Sequence, residues 1–312
     1  MSQPLFTIVT ITYNSSKWVR NAIESVLASG FADFEYLISD DCSTDDTWEI
    51  IQQYKDSRIR AWRNIPNIGE YPNRNKALSY ATGKYLLFID GDDILYKHTL
   101  RNLSEYVHAF PEAIMIWGVP SANIDFAVLP YQFEPNITMR LIYETTHPMA
   151  IVGFSETVFR TDVLRRSGNL PTRFAIGDTY IKKRLALEGP VLLVPMGFSF
   201  WRRSEMQASL KASQSFTGFL ESFHIDLEIL QQCQLQHKEI LLQLVKGSFA
   251  RRLLKHTIFK GRFRSFFRLF RKSGLNWVDF RYIVKRYSTP FSPATVVSQP
   301  LLNSFHFTSS QN

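Results

Sequence analysis

Residues 85–93 read Tyr-Leu-Leu-Phe-Ile-Asp-Gly-Asp-Asp, five apolar or aromatic residues running straight into three carboxylates around a glycine. A short continuous apolar run closed by turn residues predicts a strand buried on both faces. On its N-terminal side, strand and helix patterns alternate. Phe6–Thr12 (FTIVTIT) is a β-branched run, and 34–39, Ile59–Arg63 and 85–89 are the strands that follow. Between them, Ser15 and Ser16 offer an N-cap to a helix whose Trp18, Val19, Ala22, Ile23, Val26 and Leu27 share a face. Further helices are predicted over 47–54 and 73–81. Strands separated by helices of this length make a mainly parallel sheet covered on both faces, which binds ligands beyond the carboxyl ends of its strands. Those ends carry Thr12-Tyr13-Asn14, Asp40-Asp41 and Asp90-Gly91-Asp92-Asp93.

The remaining chain sets the bounds. At 312 residues, with 45% hydrophobic and 21% charged residues, it is expected to hold about two domains, or one large one with an appendage, around a large core. That excludes a mainly disordered chain. Cys42 and Cys233 are far apart, so neither a disulfide framework nor a zinc site is expected, and a reducing compartment is. The N-terminus lacks signal-peptide character, and no apolar run reaches membrane-spanning length. The expectation is a cytoplasmic protein that is soluble or peripheral on a membrane. Residues 1–215 are read as the α/β domain, divided at 98/99 into a ligand-binding and an acceptor half. A basic helical extension over 216–287 and a loosely ordered tail over 288–312 follow.

Taken singly, the polar clusters admit two readings. Asp90, Asp92 and Asp93 crowd at one strand end and need a cation or donors to offset their repulsion. A divalent ion such as Mg²⁺ or Mn²⁺ would do this and hold a diphosphate as well, but a solvated acidic turn fits equally. Gly91 lets the backbone approach a ligand. Of Asp40 and Asp41, one can accept hydrogen bonds from a nucleobase or ribose, or both can serve the turn at 43–46. Asn67-Ile-Gly69 looks like a tight loop before a helix on whose first turn Arg74 can meet a phosphate or simply face solvent.

Taken together, ITYN at 11–14, FEYLISDDCSTDDT at 34–47, NIGEYPNRNKAL at 67–78 and YLLFIDGDD at 85–93 resemble, in order and spacing, family 2 glycosyltransferases of the GT-A fold. The resemblance is specific over 5–95 and weaker over 96–210. It implies a nucleotide-diphospho-sugar donor, usually UDP-linked, and transfer with inversion at the anomeric carbon. By position it implies Thr12, Tyr13 and Asn14 beside the nucleobase, Asp41 at the uracil edge and Asn67 in the same donor loop. Arg74 would reach the base or diphosphate side, Asp90 with Gly91 the ribose. Asp92, with Asp93 close by, would hold the metal. An inverting transfer needs a base to take the acceptor's proton. The family places an acid for this at a helix start beyond the D-x-D, where this chain has Gly177-Asp178; Asp178 is also a natural N-cap. Many relatives carry a histidine near the end of the core, but Ser204 stands there in this chain, with Arg202 and Arg203 as alternative charges for the diphosphate or acceptor. The Q-x-x-R-W signature of processive synthases is missing, which favours single sugar transfer.

Between Ser248 and Tyr287 there are twelve Lys or Arg and one acid, Asp279, within a chain of net charge +8. Over 251–272 the cations alternate with Leu, Ile and Phe. This stretch can lie on an anionic membrane or pack on the core with a solvated basic face; no nucleic-acid motif is present, and nucleic acid is not expected as a partner. The resemblance implies an acceptor that is a cell-surface glycan or a lipid-linked saccharide, and on that ground membrane contact is the favoured reading of this stretch. Two rivals stand beside this reading: a nucleotidyltransferase, which would show a Gly-rich N-terminal loop, and a non-catalytic membrane-associated protein that keeps the fold.

Overall fold

The computed structural model describes residues 3–119, 129–144, 152–202, 216–235 and 237–284. Strands β1 (Phe6–Thr12), β2 (Phe34–Asp40), β3 (Ile59–Arg63) and β4 (Tyr85–Phe88) lie parallel in the order β3-β2-β1-β4. Their register sets Thr12, Asp40 and Arg63 side by side at one edge. The short strand β5 (Ile94–Leu95) follows the acidic turn. Strands β6 (Met115–Gly118), β7 (Tyr131–Phe133), β8 (Thr157–Arg160) and β9 (Val191–Val194) extend the sheet in the order β8-β6-β9-β7, with β8 antiparallel to both β4 and β6. A final two-residue strand, β10 (Ser199–Phe200), pairs antiparallel with β5. That pairing returns the chain to the acidic turn and sets Arg202 beside it.

Alternate residues of each central strand enter opposite faces. Ile8, Ile38 and Leu87 meet Val19, Ile23, Leu100 and Leu103 of helices α1 (Val19–Leu27) and α4 (Thr99–Ala109). Val9, Leu37 and Leu86 meet Ala77 and Leu78 of α3 (Glu70–Tyr80). Both faces are buried, so the strands read as unbroken apolar runs rather than alternating ones. The second core continues through α5 (Pro135–Glu144), α6 (Thr161–Arg166) and α7 (Gly177–Leu185). It reaches Phe223, Phe249 and Phe266 of α8 (Phe216–Gln232), α9 (Lys238–His256) and α10 (Phe263–Ser273). The helical extension therefore shares its core with the α/β body.

Three local expectations change. Helix α1 has no side-chain cap; the backbone carbonyl of Ser15 instead accepts from Trp18 and Val19, both at 2.9 Å. Helix α2 spans only Thr47–Ile51 and unwinds into turns. Helix α3 begins at Glu70 rather than Asn73, because Pro72 is tolerated in a first turn, where its missing N–H has no intrahelical acceptor. Arg74 consequently sits beyond the first turn and is buried, not solvent-facing. Among the described residues no helix is long and apolar enough to cross a membrane. The 288–312 tail lies outside the described residues.

Candidate active site

The strand ends are braced by their own carboxylates. Asp40, at the end of β2, accepts from the Thr12 hydroxyl at 3.1 Å, from Ser43 N at 3.1 Å and from the Ser43 hydroxyl, and pairs with Arg63 at 3.3 Å. Asp41 next to it closes the 64–69 loop: Oδ1 accepts from Asn64 Nδ2 at 2.9 Å and Ile68 N at 3.0 Å, and Oδ2 from Gly69 N at 2.8 Å. A carboxylate has about four acceptor positions, so Oδ2 of Asp41 keeps one. Asn67 ties the same loop down by donating to the Asp41 carbonyl at 2.8 Å. Gly69, at φ +92°, makes the turn into α3 that a side chain would strain.

Asn14 sits in the left-handed region at φ +50°. Its Oδ1 accepts from Thr44 N at 2.8 Å and its own N–H donates to Ser43 Oγ at 2.9 Å. It thus joins the loops after β1 and β2, while Tyr13 beside it stays exposed. Gly91 has a comparable internal reason. A Cβ there would lie 2.8 Å from Thr12 Cγ2, so its smallness is required by the packing of the acidic turn on β1.

The next layer is ionic. Arg74 is buried, and its Nη2 donates to Asp90 Oδ1 at 2.7 Å and Glu70 Oε1 at 3.2 Å. Its guanidinium lies 5.2 Å from the Phe88 ring and 5.0 Å from that of Phe154, contacts that favour a desolvated cation. Burial works against its charge, but Asp90 and Glu70 outweigh that and hold Arg74 above its ordinary range. Its Nε and Nη1 are buried with no hydrogen-bond partner among the described residues. Asp93 is buried and accepts from Arg202 N at 3.2 Å; burial, then the neighbouring Asp90, push its carboxyl up to about 7. Arg202 Nε donates to the Asp92 carbonyl at 3.1 Å, and its guanidinium stacks 3.8 Å from the centre of the Trp18 ring. Arg203 lies outside the described residues.

Asp178 is the second residue of α7. Its N–H donates to the Tyr71 hydroxyl at 3.3 Å, whose own proton is shared between the Ala175 carbonyl at 3.2 Å and Asp178 Oδ1 at 3.4 Å. Burial, then Asp178 and Glu70, raise Tyr71 well above an ordinary phenol, so it keeps that proton. Lys182 Nζ lies 3.8 Å from Asp178 Oδ2. Gly177 is required here, since a Cβ would lie 2.8 Å from Pro171 O and 3.1 Å from the Tyr71 ring. Adjacent residues at the start of α3 thus touch both groups, Glu70 the Arg74 side and Tyr71 Asp178. Neither was singled out in the sequence. A Glu opening a helix is an ordinary dipole choice, and nothing in the local pattern connects Tyr71 to a residue more than a hundred positions away.

The donor set can be weighed against a divalent ion. Among the described residues no three His, Cys, Asp or Glu side chains gather as metal ligands. Asp90 and Asp92 remain at the strand end with partly accessible side chains, whereas Asp93 is turned inward. One or two carboxylates completed by phosphate oxygens and water is how Mg²⁺ is usually held beside nucleotides. The residues fit an ion that arrives with a diphosphate rather than one caged by protein.

A parallel α/β half whose strand ends bring acids to one rim, completed by a mixed sheet, is the architecture of the GT-A nucleotide-diphospho-sugar transferases. The chain belongs to glycosyl transferase family 2: the family model matches residues 7–168. It is 38% identical over 107 residues to TuaG of Bacillus subtilis, a glycosyltransferase named for teichuronic acid biosynthesis, covering 34% of this chain and 42% of that one. It is 42% identical over 89 residues to WfaP of Escherichia coli, a UDP-Glc:alpha-D-GlcNAc-diphosphoundecaprenol beta-1,3-glucosyltransferase, covering 28% of this chain and 36% of that one. The aligned portions are thus under half of these relatives' lengths. The fold matches the crystal structure of Staphylococcus aureus TarS 1–349 in complex with UDP-GlcNAc at a TM-score of 0.61 and 22% identity, over 80% of this chain and 72% of that one.

Proposed function

We propose that this chain transfers a sugar, with inversion, from a nucleotide-diphospho-sugar to a hydroxyl of a glycan or lipid-linked acceptor in cell-surface polysaccharide synthesis. The donor is UDP-linked in this reading, and the enzyme works peripherally at the inner face of the plasma membrane. The observation that supports it is the N-terminal half of α3, from which Tyr71 bonds to Asp178 while Arg74, one turn on from Glu70, pairs with Asp90 of the strand rim.

The geometry supports the following roles in this reading. Tyr13, exposed beside Thr12 and Asn14, offers a ring to the nucleobase, and the free position on Asp41 Oδ2 accepts a base N–H. Asn67 holds that loop in shape. Asp90, fixed by Arg74, faces the ribose. Asp92, with Asp93 behind it, would hold Mn²⁺ or Mg²⁺ with the donor's phosphates. When bound, the ion supplies charge stabilisation to the departing diphosphate. Arg202, locked on Trp18 and the acidic turn, adds positive charge on the same side. Asp178 takes the acceptor hydroxyl proton as its oxygen attacks the anomeric carbon; the bond to the diphosphate oxygen breaks on the opposite face. The Tyr71 hydroxyl and Lys182 hold the Asp178 carboxylate in place for this step.

The test is sugar transfer from UDP-sugars, assayed with UDP titration of the same protein. Asp178→Asn is expected to lose transfer by at least 100-fold, the scale of general-base catalysis, with UDP affinity kept. Transfer unchanged in that variant would remove Asp178 from the mechanism. UDP binding without transfer by the parent protein, to any glycan or lipid-linked acceptor, would favour the non-catalytic alternative.

A further inference from the structure

We propose that the outward face of α10, with the turns on either side of it, is a docking surface for an anionic lipid bilayer. The inference takes the peripheral membrane position from the proposed function and does not depend on its chemistry.

The first observation is that aromatic side chains are left outside. Phe259, Phe263, Phe267 and Trp277 are 78%, 57%, 57% and 63% exposed. This is not a lack of core to join, because Phe266 and Phe270 of the same helix turn inward. They pack on Trp277 and on Phe280 of the 3₁₀ stretch Trp277–Val284, with centroids 4.8 to 6.2 Å apart. The helix therefore has a stripe that packs inward and a second apolar stripe, one turn apart at Phe263 and Phe267, that stays more than half exposed although Phe267 meets Phe266 edge-on at 5.3 Å. Exposed aromatics grouped in this way mark an interaction surface.

The second observation is charge. Lys260, Arg262, Arg264, Arg268, Arg271 and Lys272 are all exposed. On α10 the arginines 264, 268 and 271 follow the Phe263–Phe267 stripe round the helix. Their heads can therefore reach lipid phosphates while the rings enter the headgroup region. The one acid of the segment does not dilute this field. Asp279 is buried, pairs with Lys246 at 3.1 Å and accepts from Asn276 N at 2.9 Å.

Rings and cations side by side on a helix lying flat against the body match a bilayer surface in both hydrophobic and electrostatic character. A second copy of the chain would present the same positive charge to itself, which argues against self-association through this face.

The experiment is sedimentation of the full chain with vesicles of phosphatidylcholine alone and of phosphatidylcholine with phosphatidylglycerol in equal parts. Binding is expected to the anionic vesicles, to weaken as salt is raised, and to be absent with the neutral ones. R264Q/R268Q/R271Q is expected to weaken binding about fivefold per cation removed, and F263S/F267S to reduce it further at high salt, where charge no longer carries it. K97Q/R101Q, at exposed positions in the turn before α4 and on α4, is expected to change nothing. Circular dichroism checks the fold of each variant; if a multiple variant unfolds, Phe267→Ser and Arg268→Gln alone carry the same expectation. No binding to anionic vesicles would overturn the proposal. So would binding untouched by the α10 substitutions, or single-stranded DNA bound in preference to vesicles. UDP titration of the same preparations reports separately on the donor site.

Discussion

At the scale of single residues, the carboxylates of this chain divide by what they accept. Asp40 and Asp41 carry equal formal charge, yet both are spent largely on hydroxyls, backbone N–H groups and Asn64. Asp41→Asn would turn an amide N–H₂ toward either Ile68 N or Gly69 N, leaving a part-buried backbone donor unpaired. A loss of about 1.5–3 kcal/mol is expected, the scale of a hydrogen bond to a charged group, measured by urea unfolding without ligand. Asp93 makes a second prediction. Its carboxyl sits at about 7 in the folded chain against an ordinary 3.8, so the native state binds the extra proton between those values. Stability is then fullest below about pH 4 as far as this group is concerned, and declines as pH rises to about 7. Asp93→Asn should flatten that decline in unfolding measured with a chelator present, and should leave the variant more stable than the parent above neutrality. An unchanged pH profile would show that Asp93 ionises normally.

At the scale of elements, close approach decides more than propensity. Helix α7 can bring Asp178 to Tyr71 only because Gly177 has no Cβ. Gly177→Ala should cost about 1–3 kcal/mol, as overpacking does, and should lower transfer more than UDP affinity, since it moves the proposed base and not the proposed donor loop. Helix α9 meets the Trp277–Val284 stretch in the same way, with Tyr282 O against Gly247. Gly247→Ala should loosen that stretch, read as faster amide exchange of its backbone. The regular elements were readable from sequence where apolar runs were unbroken, as in Phe6–Thr12 and 85–89, because two buried faces leave no other pattern. The start of α3 was not. Gly69 and Pro72 look like breakers one at a time, and only the left-handed Gly69 followed by a proline in the first turn makes them a helix entry.

At the scale of the molecule, the site is assembled by long-range contacts that no local pattern carries. The strand-end acids were readable because a parallel sheet delivers its C-terminal ends to one rim. Asp178 was readable only through resemblance to a family. Tyr71 was not readable, nor was the burial of Arg74 between Phe88 and Phe154, because both depend on packing between segments far apart in the chain. The β5–β10 pairing that returns Arg202 to the acidic turn is of the same kind.

The central claim is that this rim binds a nucleoside diphosphate together with a divalent ion held by Asp92 and its neighbours. Calorimetric titration with UDP, GDP, dTDP and NAD, each with and without Mn²⁺, tests it most directly. The account predicts UDP binding that requires the ion, is lost on adding EDTA and is abolished in Asp92→Ala, with the other nucleotides much weaker. UDP binding indifferent to both the ion and Asp92, or binding of none of the four, would contradict it.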